Sequence, residues 1–125
     1  MDKLAEMFSL QGRANRAWYF WHIVLDDFVI LTAMILAVVL GVSLHPLLAI
    51  PFAGVALGAM WAGVAITVKR FHDLNRSGWE TLLLAVPIVN IYFGFLTLFK
   101  QGTIGPNSYG ADPLAGAMQH ESLNP

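Results

Sequence analysis

Between positions 69 and 77 the chain concentrates Lys69, Arg70, His72, Asp73, Asn75, Arg76 and Ser77. Cations and hydrogen-bond donors so closely spaced are a chemistry for holding phosphate. Arg13 and Arg16, about one helical turn apart, add two more cations. Arg13, Arg16, Lys69, Arg70 and Arg76 are therefore expected to converge on an anionic lipid headgroup, each contributing about 1 kcal/mol near an anionic surface. The plainer account of the same residues needs no ligand. The basic side chains set orientation and snorkel, while Asp73 caps a helix or pairs with Arg70 or Arg76. A third account makes the Arg70, His72, Asp73 and Arg76 loop a lipid-headgroup enzyme. A catalytic metal would need about three protein ligands. The remaining histidines do not supply them: His22 falls on an expected span, His45 at an outer turn and His120 in the tail. No metal, cofactor or catalytic residue is expected, and neither a nucleophile elbow nor a phosphate-cradling glycine loop is present.

Asp26 and Asp27 pose a different question, because they follow the aromatic run Trp18, Tyr19, Phe20 and Trp21 by five or six residues. If the helix begins above that run, both carboxylates enter the bilayer and need a partner, and His22 stands one turn before Asp26. They would then be proton or cation sites. If the span begins only at Phe28, both carboxylates stay wet.

The elements that must position these groups are apolar. Of 125 residues, 57% are hydrophobic and 12% charged, against about 25% charged in soluble domains. The net charge of -1 gives no field to attract nucleic acid. There is no cysteine, so disulfides and thiolate chemistry are excluded. Stretches without Asp, Glu, Lys or Arg run over 28–68 and 81–99, each part long enough to cross a hydrocarbon core of about 30 Å as a helix. Pro46 and Pro51 divide the first stretch.

The expected fold is all-α and integral to a membrane, with three transmembrane helices in one domain, 1–125. An interfacial N-terminal segment covers 1–17, with spans over 18–44, 46–68 and 79–99, a basic cytoplasmic loop over 69–78 and an irregular tail over 100–125. No cleaved signal is expected, since Asp2, Lys3 and Glu6 open the chain and no continuous apolar core follows until after Arg16. Lys3, Arg13 and Arg16 precede span one and Lys69, Arg70 and Arg76 follow span two, so both flanks should face the cytoplasm and, with three spans, the tail should lie outside. Gly54, Gly58 and Ala62 repeat every fourth position on span two and mark a close-packing helix face. Pro87 and Asn90 suggest a kink in span three, packed against protein.

Three patterns stand in fixed order relative to these spans: Gly12-Arg13-Ala14-Asn15-Arg16 before the aromatics, Arg70 to Trp79, and Gly102 to Pro113. In this order they resemble the bacterial family called domain of unknown function 805, over about residues 8–113. The most specific element is His72-Asp73 with, after Leu74, the polar Asn75, then Arg76, Ser77, Gly78 and Trp79. The resemblance implies a small multi-span inner-membrane protein without an assigned activity. Ser108 departs from it, since family members commonly carry a basic residue there.

The function expected from these features is that of a non-enzymatic inner-membrane protein. It would pack against itself or a larger membrane complex and contact anionic lipid through its inner loop. The alternatives are a proton- or cation-coupled transporter using Asp26 and Asp27, and the headgroup enzyme.

Overall fold

A computed structural model describes residues 3–116; Asp2, His120 and the rest of 117–125 lie outside the described residues. Among these, the regular elements are helices, residues 9–15 and 100–114 are irregular, and one isolated bridge joins Asn107 to Gly110. A short helix α1 covers Lys3–Phe8. Helix α2 runs over Arg16–Ser43, opened by Asn15, whose side chain accepts the backbone N–H of Trp18 at 2.9 Å. Such a cap satisfies one of the free donors of the first turn. A 3-10 turn over Pro46–Leu48 leads into α3, Ala49–Asp73.

Helix α3 ends in a Schellman arrangement: Asn75, at φ 55, donates to the His72 carbonyl and Arg76 to that of Phe71. Asparagine tolerates this left-handed position, which is why the chain reverses there. Residues 69–73 thus extend α3, and the expected loop over 69–78 shrinks to the few residues before the next helix.

At 28 and 25 residues, α2 and α3 measure about 42 and 38 Å, ample to cross a bilayer. Only 11% of the most apolar window of each is buried. A soluble core helix hides its apolar face, whereas these two expose theirs nearly all round, as lipid requires.

The two long helices meet along a seam. The buried positions of α2 are Tyr19, Asp26 and Ala33, seven apart. Helix α3 answers with Ala56, Gly63 and Arg70, also seven apart, at the spacing of a left-handed helix pair. Small residues let the backbones close in: a Cβ on Gly41 would stand 3.0 Å from that of Ala49.

The expected third span, 79–99, is not one helix. It divides into a 3-10 helix, Gly78–Ala85, and α4, Val89–Phe99. Pro87 breaks it, as a helix-interior proline does, and Ile88 turns the chain at φ 71. Both ends of this segment lie at the same end of the long helices. Gly78 stands against Val68 and His72 of α3, while the Arg70 side chain reaches the carbonyls of Thr97 and Lys100. The segment is a hairpin that returns to its starting level, and Phe71, Leu74, Phe93 and Leu96 form the apolar core beneath it. The tail therefore begins at the same end as the N-terminal segment. Among the described residues two helices, not three, are long and apolar enough to cross a membrane, so the expected third span is not confirmed.

Candidate functional site

The three sequence patterns meet in one polar knot at this end. Arg70 is fully buried. Its Nε donates to the Thr97 carbonyl at 2.7 Å and Nη1 to that of Ala14 at 3.2 Å, while Nη2 reaches the Lys100 carbonyl. The same guanidinium pairs with Asp73 at 2.5 Å, one turn along α3. Asp73 is held from the other side by Arg13, at 3.1 Å. Arg13 in turn donates to the carbonyls of Thr103 at 2.5 Å, Gly105 at 2.7 Å and Gly110 at 3.3 Å. A single carboxylate thus sits between two guanidinia, and the surplus positive charge is spread over six backbone carbonyls. Burying such a cluster is tolerable only because each donor has a partner.

Backbone contacts complete the knot. Ala14 donates to the Lys69 carbonyl at 3.1 Å, and Thr103 to that of Asp73 at 2.8 Å. Gly102 permits the second approach, since a Cβ there would overlap the Asp73 carboxylate. The tail folds into a small turn in which Gly105 and Gly110 take positive φ, 80 and 135. Asp112 accepts the N–H of Gly105 at 2.8 Å and of Leu114 at 2.9 Å. The hydrogen bonds from Leu114 and Gly105 hold its carboxyl below the usual range.

The remaining residues of the inner cluster have structural partners. His72 stacks on Tyr109 with ring centroids 3.9 Å apart, and its Nδ1 lies 3.1 Å from the Gly12 carbonyl. Asn107 donates to the His72 carbonyl at 2.8 Å, and Asn75 accepts the N–H of Ser108 at 3.4 Å. Ser77 caps the 3-10 helix through Trp79 at 3.3 Å. The Ser108 residue itself is exposed.

The five basic residues expected to converge are brought to this one end but are occupied differently. Arg13 and Arg70 are committed to Asp73 and to carbonyls. Lys69 is buried, its Nζ on the Glu6 carbonyl and 5.9 Å from the Trp18 ring centroid. Arg76 pairs with Glu80 at 2.5 Å and lies over Phe93, rather than pairing with Asp73. Arg16 is exposed and donates to the Phe99 carbonyl at 3.1 Å. Lys100, which the spacing argument did not include, stands exposed nearby.

Elsewhere, Asp26 is buried in the seam against Gly63, while Asp27 is exposed on the outer face of α2. Ala62 is buried, but Gly54 and Gly58 have nothing within 4 Å of a Cβ. Trp61 donates its indole N–H to the Phe8 carbonyl at 3.2 Å, fastening α1 along α3. Sequence reasoning missed the carbonyl acceptors of the tail. The glycines and prolines of 102–113 signalled a turn but gave no indication of what it docks on.

The model of the family described as "Protein of unknown function (DUF805)" matches residues 7–111. Inner membrane protein YhaI of Escherichia coli K12 is 29% identical over 117 residues, 94% of this chain and 96% of that protein. Inner membrane protein YhaH of the same organism is 35% identical over 49 residues, 39% of this chain and 40% of that one. No solved structure matches. The matched span contains Arg13, Arg70, Asp73 and the tail turn that together make the knot, and the chain belongs to the DUF805 family.

Proposed function

We propose that this protein is a non-enzymatic component of the bacterial inner membrane that holds anionic lipid at its cytoplasmic rim and packs against itself or a larger complex. The observation that carries this is the one-sided distribution of charge. All seven Lys and Arg residues, Lys3, Arg13, Arg16, Lys69, Arg70, Arg76 and Lys100, belong to segments gathered at the knotted end. The opposite turn, 44–48, has none. Basic residues stay on the cytoplasmic side, so the N-terminal segment and the described tail both face the cytoplasm. The relatives named as inner membrane proteins support the same compartment.

With Arg13, Lys69 and Arg70 occupied and Arg76 paired with Glu80, lipid contact falls to Arg16 and Lys100 at the rim, each contributing about 1 kcal/mol toward an anionic surface. The non-enzymatic reading rests on the engagement of His72 and Asp73. One is stacked and bonded to a carbonyl, and the other is clamped between arginines, which leaves neither poised for proton transfer to a substrate. Gly54 and Gly58, open on α3, are the surface for a second helix.

Native mass spectrometry of protein extracted into nanodiscs of mixed anionic and zwitterionic lipid tests the lipid contact. Arg16→Gln with Lys100→Gln should lower retention of anionic lipid by about thirtyfold, the effect of two charges, at a melting temperature that changes little. Equal retention by this variant and the unmodified protein would refute the lipid contact.

A further inference from the structure

We infer that Asp26 is a proton-binding site inside the membrane, supplied from the cytoplasmic side by way of His22. Asp26 lies ten residues into α2, about 15 Å below Arg16. Its exposure is 8%, and its Oδ2 lies 2.5 Å from where a Cβ of Gly63 would stand. A larger residue at 63 would push the carboxyl out of its present place in the seam. Yet among the described residues it accepts no hydrogen bond and joins no ion pair. The hydroxyl of Thr67, one turn along α3, donates to the Gly63 carbonyl at 2.8 Å instead.

The charged groups around it do not compensate. Asp27 follows directly but is exposed on another face. On α3 the first ionisable residue toward the cytoplasm is Lys69, whose ammonium is taken by the Glu6 carbonyl of α1. A carboxylate placed between two spans at 8% exposure, with no donor or counter-charge among the described residues, is unfavourable in a membrane, and binding a proton removes the charge. A cation is a poorer occupant, because it needs several oxygen ligands and Asp26 brings one carboxylate to the seam. Among the described residues no group of three His, Cys, Asp or Glu side chains could hold a metal.

A route to the site is built beside it. A cleft of 1090 Å³ opens between the N-terminal segment and α2, lined by Gln11, Arg13, Lys69, Trp18 and, deepest along α2, His22. The His22 ring stacks on Trp18 at 3.7 Å, and its Nδ1 lies 2.7 Å from the Trp18 carbonyl. A carbonyl only accepts, so Nδ1 carries the hydrogen and Nε2 keeps the lone pair. Nε2 takes a proton from hydronium in the cleft, leaving water. The imidazolium passes a proton to the Asp26 carboxylate one turn deeper and returns to the neutral ring, with no other group oxidised or reduced.

Infrared spectroscopy and carbodiimide mapping on the full chain in nanodiscs test this. At neutral pH the unmodified protein should show a protonated-carboxyl band that fades on alkalinisation. The band should be lost in Asp26→Asn and kept in Asp27→Asn. Dicyclohexylcarbodiimide, which modifies protonated carboxyls in apolar surroundings, should modify Asp26 and spare Asp27 in the unmodified protein, a result that needs no variant to fold. After a pH jump, His22→Phe should slow the band's response about tenfold or more. Equal modification of Asp26 and Asp27, or absence of the Asp26 band at neutral pH, would overturn the site. An unchanged rate in His22→Phe would overturn the route.

Discussion

Arg13 and Asp73, sixty positions apart, form an ion pair of 3.1 Å in which the two side chains are 2% and 3% exposed. This pair joins the segment before α2 to the end of α3, and through the carbonyls of Thr103 and Gly105 it also secures the tail. Replacing Arg13 by Ala leaves Asp73 short of one counter-charge and three tail carbonyls without their donor. The expected cost is about 3–5 kcal/mol, the range for breaking a buried pair. Thermal unfolding in detergent measures it. In a double-mutant cycle, Arg13→Ala with Asp73→Ala should cost clearly less than the two separate losses added. Additive losses would show that the pair does not couple the segments.

Gly102 and Gly58 should respond oppositely to the same added methyl group. Gly102→Ala drives a Cβ into the Asp73 carboxylate, so the tail must shift, at about 1–3 kcal/mol. Limited proteolysis should cut the tail of that variant first. Gly58→Ala meets no atom within 4 Å and should change the stability of the single chain by no more than about 0.5 kcal/mol. A larger loss in native membranes than in dilute detergent would locate a helix partner on that face.

Asp112 gives the tail a pH dependence of definite sign. Its carboxyl is held below the usual range by the N–H groups of Leu114 and Gly105. A group depressed on folding stabilises fully above the unfolded value of about 3.9, and that stability is lost as pH falls through the lowered value. Hydrogen exchange at the Gly105 amide should therefore be protected at neutral pH and lose protection in acid. Asp112→Asn should flatten the acid limb. Protection that persists unchanged in acid would contradict the arrangement.

Ile88 holds φ at 71 and is 81% exposed. With ψ -51 and the Val89 N–H on the Pro87 carbonyl at 2.8 Å, it is the centre of a γ-turn, a strained conformation for a β-branched residue at a cost of order 1–3 kcal/mol. Ile88→Gly should relieve part of it and raise the melting temperature in detergent, where no lipid contact is lost. A lower melting temperature would mean that the tip is held by packing on Ile88.

The residues of this molecule divide by how locally their roles are determined. The two long spans follow from apolar runs of bilayer length, and Pro46 with Pro51 separates them. Asn15 and Asn75 mark helix ends by their own side-chain chemistry. The pairing of Asp73 with Arg70 lies one turn apart and was among the sequence alternatives. The second clamp, Arg13, acts across sixty positions, and no periodicity connects the two. The hairpin was hidden for a related reason. A 19-residue apolar run satisfies the length criterion whether it crosses or returns, and what decides is the reach of Arg70 to Thr97 and Lys100.

That return fixes where the tail must be, and the absence of cysteine makes it measurable. Gln11, Ser43 and Ser108 are exposed, so single-cysteine variants at each should leave the fold intact. An impermeant maleimide applied to intact spheroplasts should label Ser43→Cys, at the end without basic residues, and spare Gln11→Cys and Ser108→Cys until the membrane is permeabilised. A chain that crossed a third time would expose Ser108→Cys together with Ser43→Cys. It would also separate Arg13 from the Gly105 carbonyl by the thickness of the membrane, although the two are hydrogen-bonded at 2.7 Å. Labelling of Ser108→Cys from outside would thus refute both the hairpin and the knot that depends on it.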